Sequence, residues 1–436
     1  MLEFGTDGVR GRANSELTAD FAVKLGQSVA QAVSGSTFVV GRDTRLSGTM
    51  LQAAFSAGLC SKGASVLDLG VIPSPGVAFV CSRLRLPGAV ISASHNPYYD
   101  NGIKVISAAG TKLSEEVEAS IEALVDQPEG TVSSNIGVIT DARHLAADYR
   151  EFLAELDAVP PLNNLRLVID TGHGAASSFA RDVFRRHGAE VVIINDSPDG
   201  VNINANAGST HLDALRATVL AEGADLGLAF DGDADRVMAL DECGNVLDGD
   251  FIMAILAKEM KARGTLRNNA VSVTVMSNLG LTRALADAGI AVVETDVGDR
   301  NVAEAIRRRD LSLGGEQSGH VILADIATTG DGMLTGLLFS GALAAKGGKA
   351  SVAAQEAMTR FPQVLNNVRY AGDARARLAE PQIARAVREA SAVLGNQGRV
   401  LVRPSGTEPV IRIMVEALDH GTAETIASEL AAVISA

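Results

Sequence analysis

Three carboxylates stand at alternate positions in Asp231-Gly232-Asp233-Ala234-Asp235-Arg236. The preceding run, Ala224 to Phe230, reads as a buried strand, and Val237 to Leu240 reads as another. Three such charges cannot all be satisfied on one strand face beside a core. On a turn they can converge on one hard divalent cation. An acidic turn that merely faces water is the alternative these residues leave open. Glu242 falls at the twelfth position of a helix–loop–helix calcium loop, but Arg236 takes the sixth, where glycine is needed. Few carboxylates, with room left for a phosphate oxygen, suit Mg2+ better.

A second loop, Ser92-Ala93-Ser94-His95-Asn96-Pro97, follows the β-like run Gly88 to Ile91. Small residues and an Asn-Pro turn can present a hydroxyl at a strand's end, although neighbouring Ser94 and His95 side chains do not by themselves make a nucleophile–base pair. Lys104, in Asn101-Gly102-Ile103-Lys104, stands close enough in sequence to meet a phosphate or move a proton. Three more loops look built for anions. Gly5-Thr6-Asp7-Gly8-Val9-Arg10-Gly11 carries Arg10. Gly315-Glu316-Gln317-Ser318-Gly319-His320 offers a carboxylate, an amide, a hydroxyl and an imidazole. Arg403-Pro404-Ser405-Gly406-Thr407-Glu408-Pro409 offers a guanidinium, two hydroxyls and backbone N–H groups, a phosphate cradle. Taken singly, each is as readily a structural turn. Gly172-His173-Gly174-Ala175-Ala176-Ser177 imitates a dinucleotide fingerprint, but its third glycine is Ser177, and a helix-opening turn accounts for it.

These loops need a scaffold. At about 150 residues per domain, 436 residues suggest three or four domains. One pattern occurs three times: a β-rich run, a helix, a glycine, a second β-rich run. The copies begin at Thr37, Leu165 and Val271 and return through Gly63, Gly188 and Gly289, where a left-handed residue closes a helix. The fold class expected is α/β: three related α/β domains with mixed sheets plus a smaller C-terminal two-layer α+β domain, arranged around one central cleft. The boundaries expected are 1–157 with the Ser94 loop, 158–252 with the Asp231 loop, 253–365 with the Glu316 loop and 366–436 with the Arg403 loop. In the last, two strands (Arg399–Arg403 and Val410–Val415) and a helix from about Thr422 to Ile434 are expected, after a linker from Phe361 to Asn367.

Composition excludes several functions. With 38 basic and 52 acidic residues the net charge is −14, which disfavours nucleic acid and anionic membranes. Aromatic residues are 4%, with no Trp, too few for a long stacking platform. Cys60, Cys81 and Cys243 fit no metal spacing and read as reduced thiols. Met333 to Ala345, the longest weakly polar stretch, falls short of a bilayer span of about 20 residues. With no basic-then-apolar pattern at Met1 to Gly5, a cytoplasmic protein is expected.

Together the segments Phe4–Gly11, Ser92–Pro97, Asp231–Arg236, Gly315–His320 and Arg403–Pro409 resemble the α-D-phosphohexomutase superfamily, in that order and over nearly the whole chain. Gln317, Tyr99 to Lys104 and Gly208 to His211 resemble its bacterial branch acting on glucosamine phosphates; mannose and glucose relatives commonly have Met at the position of Gln317. Asn301, in place of a usual Tyr, and Pro404, in place of Lys, depart from that branch. The resemblance implies an isomerase with Ser94 as phosphoserine and with Asp231, Asp233, Asp235 and the Ser94 phosphate as ligands of one Mg2+. It implies a hexosamine 1,6-bisphosphate as intermediate and activator. Arg10, Lys104, Arg236 and His320 would surround the reacting groups, with Lys104 or His320 as general base. Glu316, Gln317 and Ser318 would hold the sugar, and Arg403, Ser405, Gly406 and Thr407 the distal phosphate. A small sugar phosphate is then the partner. A homodimer, and a kinase or bisphosphate donor that first loads Ser94, are compatible with it, and the product would feed UDP-N-acetylglucosamine and cell-wall precursor synthesis. A phosphoglucomutase/phosphomannomutase is the alternative. A non-catalytic sugar-phosphate binder would be signalled by loss of Ser94 or of one Asp, and all are present. A phosphatase would need a hydrolytic water that a closing cleft excludes.

Overall fold

The computed structural model describes residues 8–125, 134–347, 349–405 and 409–435. The repeated strand–helix–strand pattern appears as parallel pairs. The first sheet contains β1 (Val9–Arg12), β2 (Thr37–Arg42), β3 (Ser65–Val71), β4 (Gly88–Ile91), β5 (Asp100–Ile106) and β6 (Ile139–Asp141), in the order β1-β5-β4-β2-β3-β6. The second contains β7 (Arg166–Asp170), β8 (Glu190–Ile194), β9 (Leu226–Phe230), β10 (Val237–Asp241) and β11 (Val246–Leu247), ordered β11-β10-β9-β7-β8. The third contains β12 (Ala270–Thr274), β13 (Ala291–Thr295), β14 (Leu313–Gly315) and β15 (Val321–Leu323), ordered β13-β12-β14-β15. Each of these sheets is mixed: β2/β3, β7/β8 and β12/β13 are the parallel pairs of the three copies. Gly63, Gly188 and Gly289 have φ of 90°, 99° and 64°, the left-handed turn that returns each helix to its sheet.

The chain divides into two compact units. The larger, residues 1–275 and 290–356, holds the three mixed sheets. Its longest apolar stretch is the helix Gly332–Lys346, capped by Asp331, which accepts from the Leu334 N–H, and closed by Gly347 at φ 60°. Most of that helix is buried, which explains a sequence apolar on every face. No described helix is long and apolar enough to cross a membrane.

The smaller unit, residues 276–289 and 357–436, is built on an antiparallel sheet of β16 (Gln363–Arg369), β17 (Arg399–Pro404) and β18 (Val410–Glu416), ordered β16-β18-β17, covered by the helices Pro381–Leu394 and His420–Ser435. β16 lies where a linker was expected. Asn366 and Asn367 weaken its strand signature, and pairing along all of β18 supplies what local propensity lacks. The helix Leu279–Asp287, the connection of the third repeat, belongs to this smaller unit. Asn278 bonds both the N–H and the carbonyl of Phe361, at 2.9 Å each, and Glu416 accepts from the Leu279 N–H at 3.2 Å.

Candidate active site

Four of the chemically suggestive loops occupy the same structural position. Each joins an antiparallel pair: β4 to β5, β9 to β10, β14 to β15 and β17 to β18. A hairpin fixes the ends of its loop by backbone pairing, so short polar loops are presented from rigid stems. The exception is the N-terminal motif. Residues 5–7 lie outside the described residues, and Val9 to Gly11, expected as loop, belong to edge strand β1, with Arg10 opposite Gly102 of β5.

The β9–β10 stem pairs Phe230 with Val237, and Ala234 turns through φ 56°. This brings one oxygen from each of Asp231, Asp233 and Asp235 within 4.8 Å of the others. All three are buried. Asp233 Oδ1 and Asp235 Oδ1 are buried with no hydrogen-bond partner among the described residues. Buried carboxylate oxygens are almost always satisfied, so these two, converging with Asp231, suit a hard divalent cation.

Ser94 comes to the same place from the first sheet. It is 1% exposed, has φ 51°, and donates from Oγ to Asp231 Oδ2 at 2.5 Å. His95 Nδ1 lies 3.4 Å from the same Oγ. Lys104 Nζ, on β5, is 2.8 Å from Asp233 Oδ2 and 3.8 Å from Asp235 Oδ2. The Arg236 N–H donates to Asp231 Oδ1 at 3.2 Å, and Arg236 Nε lies 3.8 Å from Asp235 Oδ1. His320 is almost fully buried, with Nδ1 3.6 Å from Asp235 Oδ2 and Nε2 accepting from the Gly330 N–H at 3.2 Å. Glu316 Oε1 accepts from the Gly298 N–H at 3.0 Å, Ser318 Oγ reaches Glu316 Oε2 at 3.5 Å, and the Gln317 carbonyl accepts from the Gly249 N–H at 3.1 Å.

The electrostatics divide the triad. Burial, then the charges of Asp235 and Asp233, push the Asp231 carboxyl well above the usual carboxylate range. Burial acts the same way on Asp235, but Lys104, His320 and Arg236 outweigh it and hold that carboxyl well below the range. His320 is raised: burial opposes its charge, and the Asp235 hydrogen bond together with Asp235 and Asp299 prevails. His95 is lowered by burial and then by Arg236 and Arg10, which places Arg10 near this loop.

Arg403 and Ser405 lie in the smaller unit. Arg403 on β17 pairs across the sheet with Arg412 on β18, and both line a cavity of about 100 Å³ with Met276, Leu365, Asn367, Leu401 and Met414. The Ser405 N–H closes the hairpin onto the Val410 carbonyl at 2.9 Å. Gly406 and Thr407 lie outside the described residues.

Sequence reasoning missed the residues that hold these loops. Ser74, at the start of the helix Ser74–Leu84, donates from Oγ to Asp233 Oδ2 at 2.5 Å, and its N–H donates to the Asp233 carbonyl at 2.9 Å. Arg45 is a larger omission. Its buried guanidinium donates to the carbonyls of Ser94 (2.9 Å), Asn96 (2.8 Å), Asp100 (3.1 Å) and Pro97, and to Asp43 Oδ2 at 2.8 Å. Asp43 also accepts from Ser92 Oγ at 2.6 Å, and Ser92 Oγ in turn accepts from the Ser94 N–H at 2.9 Å. The only available signal was Asp43-Thr44-Arg45 directly after an apolar strand. Arg45→Met is expected to lose about 3–5 kcal/mol in urea unfolding of the larger unit, because it strands the buried Asp43 charge and frees four carbonyls. A loss under about 1 kcal/mol would contradict the clamp.

Family profiles match the chain in succession: phosphoglucomutase/phosphomannomutase alpha/beta/alpha domain I over residues 1–131, domain II over 147–244, domain III over 248–361 and the C-terminal domain over 365–433. The chain is 49% identical to the phosphoglucosamine mutase of Carboxydothermus hydrogenoformans over 440 residues, 99% of this chain and 98% of the relative. It is also 49% identical to that of Saccharopolyspora erythraea over 445 residues, 99% of each. The chain belongs to the phosphoglucomutase/phosphomannomutase family. Among solved structures, a family member from Burkholderia thailandensis matches with TM-score 0.84 and 23% identity over 100% of this chain and 98% of that one. The Aspergillus fumigatus N-acetylphosphoglucosamine mutase, solved with GlcNAc-6P and magnesium, matches with TM-score 0.73 and 19% identity over 100% and 96%. Both share the fold. This phosphohexomutase family works by metal-dependent catalysis, and the Asp231–Asp235 loop fits a metal site.

Proposed function

We propose that this enzyme interconverts glucosamine 6-phosphate and glucosamine 1-phosphate by way of phospho-Ser94 and a bisphosphate intermediate. The observation that carries the reading is the 2.5 Å approach of Ser94 Oγ, from one sheet, to Asp231 of a converging carboxylate triad on another. The 49% identity to phosphoglucosamine mutases over whole chains supports the choice of substrate.

Asp231, Asp233 and Asp235 would hold Mg2+, two of them with oxygens that have no hydrogen-bond partner among the described residues. Bound there, Mg2+ supplies charge neutralisation at the transferring phosphoryl group. Ser94 Oγ gives its phosphoryl group to the free hydroxyl of the sugar phosphate, and after the bisphosphate turns over it accepts the other one back. Arg10, Arg236 and Lys104 stabilise negative charge around that group. His320, buried beside Asp235 with both ring nitrogens engaged, acts by holding Asp235; Lys104, whose side chain is 12% exposed against 3% for His320, is the better placed to handle the hydroxyl proton. Glu316 and Ser318 bind sugar hydroxyls, and Arg403, Ser405, Gly406 and Thr407 the distal phosphate. Such loops must accept either end of the substrate, which suits point charges and hydroxyls.

Gln317 is the residue we assign to the substrate's amine. Its amide oxygen can accept from a C2 ammonium, which Met cannot do. Gln317→Met is expected to cost glucosamine phosphate about 10- to 150-fold more in kcat/KM than glucose phosphate, the value of one hydrogen bond to a charged group. An unchanged ratio would assign Gln317 to loop packing. The substrate assignment itself is tested by mutase rates on glucosamine, glucose and mannose 6-phosphates with one preparation. The highest kcat/KM is expected for glucosamine; the highest value for glucose or mannose would favour the phosphoglucomutase/phosphomannomutase reading.

A further inference from the structure

We infer that Asn204 is a positioning residue that sets the register between the phosphoryl-carrying serine and the metal loop. The inference rests on the role of Ser94 proposed above.

Ser94 has a left-handed backbone at φ 51°, and its carbonyl is buried among Arg45, Asn204 and Gly232. A carbonyl buried there needs donors. Arg45 supplies one, from the serine's own sheet. Asn204 supplies the other, from the segment between β8 and β9 of the second sheet: its Nδ2 donates to the Ser94 carbonyl at 2.9 Å and to the Asn96 carbonyl at 3.1 Å. One amide therefore bridges both sides of His95.

Asn204 is itself fixed. It is 6% exposed, adopts φ 58°, and its N–H donates to the Gly172 carbonyl at 2.8 Å. The turn from Gly172 to Ala175, which looked in sequence like an imperfect dinucleotide fingerprint, also grips the metal loop: the Ala175 N–H donates to the Gly232 carbonyl at 2.8 Å. Gly232, between Asp231 and Asp233, lies flat against the same junction. A Cβ there would stand 2.6 Å from the Ser94 carbonyl oxygen and 3.0 Å from Asn204 Nδ2. The serine loop, the metal loop and the Gly172 turn thus meet at the Asn204 amide. The distance from Ser94 Oγ to the triad is set through this contact, and an error of about 1 Å in such a distance costs on the order of 100-fold in rate.

The sequence Asn202-Ile203-Asn204-Ala205-Asn206 carries no catalytic pattern. Asparagine is also a residue that tolerates the left-handed region, so a purely conformational role is the competing explanation. Two substitutions separate them. Asn204→Gly keeps the backbone at ease and deletes the amide. Asn204→Asp keeps shape and backbone tolerance but sets a carboxylate against two carbonyls. Both are assayed with saturating Mg2+ on whichever hexose phosphate the wild type turns over fastest, so that a wrong sugar assignment leaves the comparison readable. Folding is checked by circular dichroism, and Ser94 phosphorylation from a hexose 1,6-bisphosphate is followed by intact mass. The expected result is a fall of about 100-fold in kcat and in the rate of Ser94 phosphorylation, with KM within threefold of wild type. A folded Asn204→Gly with kcat within threefold of wild type overturns the inference, as does a loss confined to KM in either variant.

Discussion

Ser94→Ala is expected to lower mutase turnover by roughly 10^4- to 10^6-fold, the range seen when a covalent nucleophile is removed from an otherwise intact site. Two features make the result interpretable. Ser94 is buried, and its Oγ has one short bond, to Asp231, so the substitution deletes one hydroxyl and leaves the loop's carbonyl contacts to Arg45 and Asn204 in place. Its φ of 51° is unfavourable for alanine, so Ser94→Gly, which tolerates that backbone, serves as the companion. Both variants should fold, lose turnover alike and show no phosphate-sized mass addition, whereas the wild type carries one. If either variant turns over within tenfold of wild type, the phosphoryl carrier is another residue.

Asp231→Asn is expected to have opposite effects on activity and on stability without metal. Its carboxyl is pushed well above the usual range by burial and by Asp235 and Asp233. A folded-state pKa above the unfolded one near 4 means that the unfolded chain releases the proton more readily, so the group costs stability as pH rises above that value. A neutral amide removes the cost. In chelator, Asp231→Asn should therefore unfold at a higher temperature than wild type, by a margin larger at pH 8 than at pH 5. Added Mg2+ should stabilise the wild type and leave the variant nearly unchanged, because one charge of the cage is gone. Turnover should fall about 100-fold or more. A variant that melts below wild type in chelator at pH 8, or that gains as much from Mg2+, would contradict the reading of the triad.

The reacting groups were legible in the sequence because they lie in short loops bounded by recognisable strands. The three alternating carboxylates, the small-residue loop with Ser94 and the cluster from Glu316 to His320 stand out against their apolar flanks, and each sits on a hairpin. What holds them was not legible. Arg45 and Ser94 are 49 residues apart, Asn204 and Ser94 110, and Ser74 and Asp233 159. Such partners meet only when strands distant in sequence, in one sheet or in two, come together, and a buried Arg, Asn or Ser leaves no periodic trace. The fold shows the same division. Valine- and isoleucine-rich parallel strands announce themselves, while β16, with Asn366 and Asn367 at its centre, is a strand only by virtue of β18. Likewise the helix Leu279–Asp287 reads as part of a regular repeat, yet Asn278 and Glu416 tie it to the smaller unit.

The central claim is that phosphoryl groups pass through Ser94 to the sugar and back. Enzyme labelled with ³²P at Ser94, mixed with glucosamine 6-phosphate and Mg2+ and quenched on the millisecond scale, tests it most directly. The label should leave the protein at a rate no slower than kcat and appear in hexosamine bisphosphate and monophosphate. Label that remains on Ser94 while turnover proceeds, or that appears as inorganic phosphate at the rate of turnover, would contradict the account.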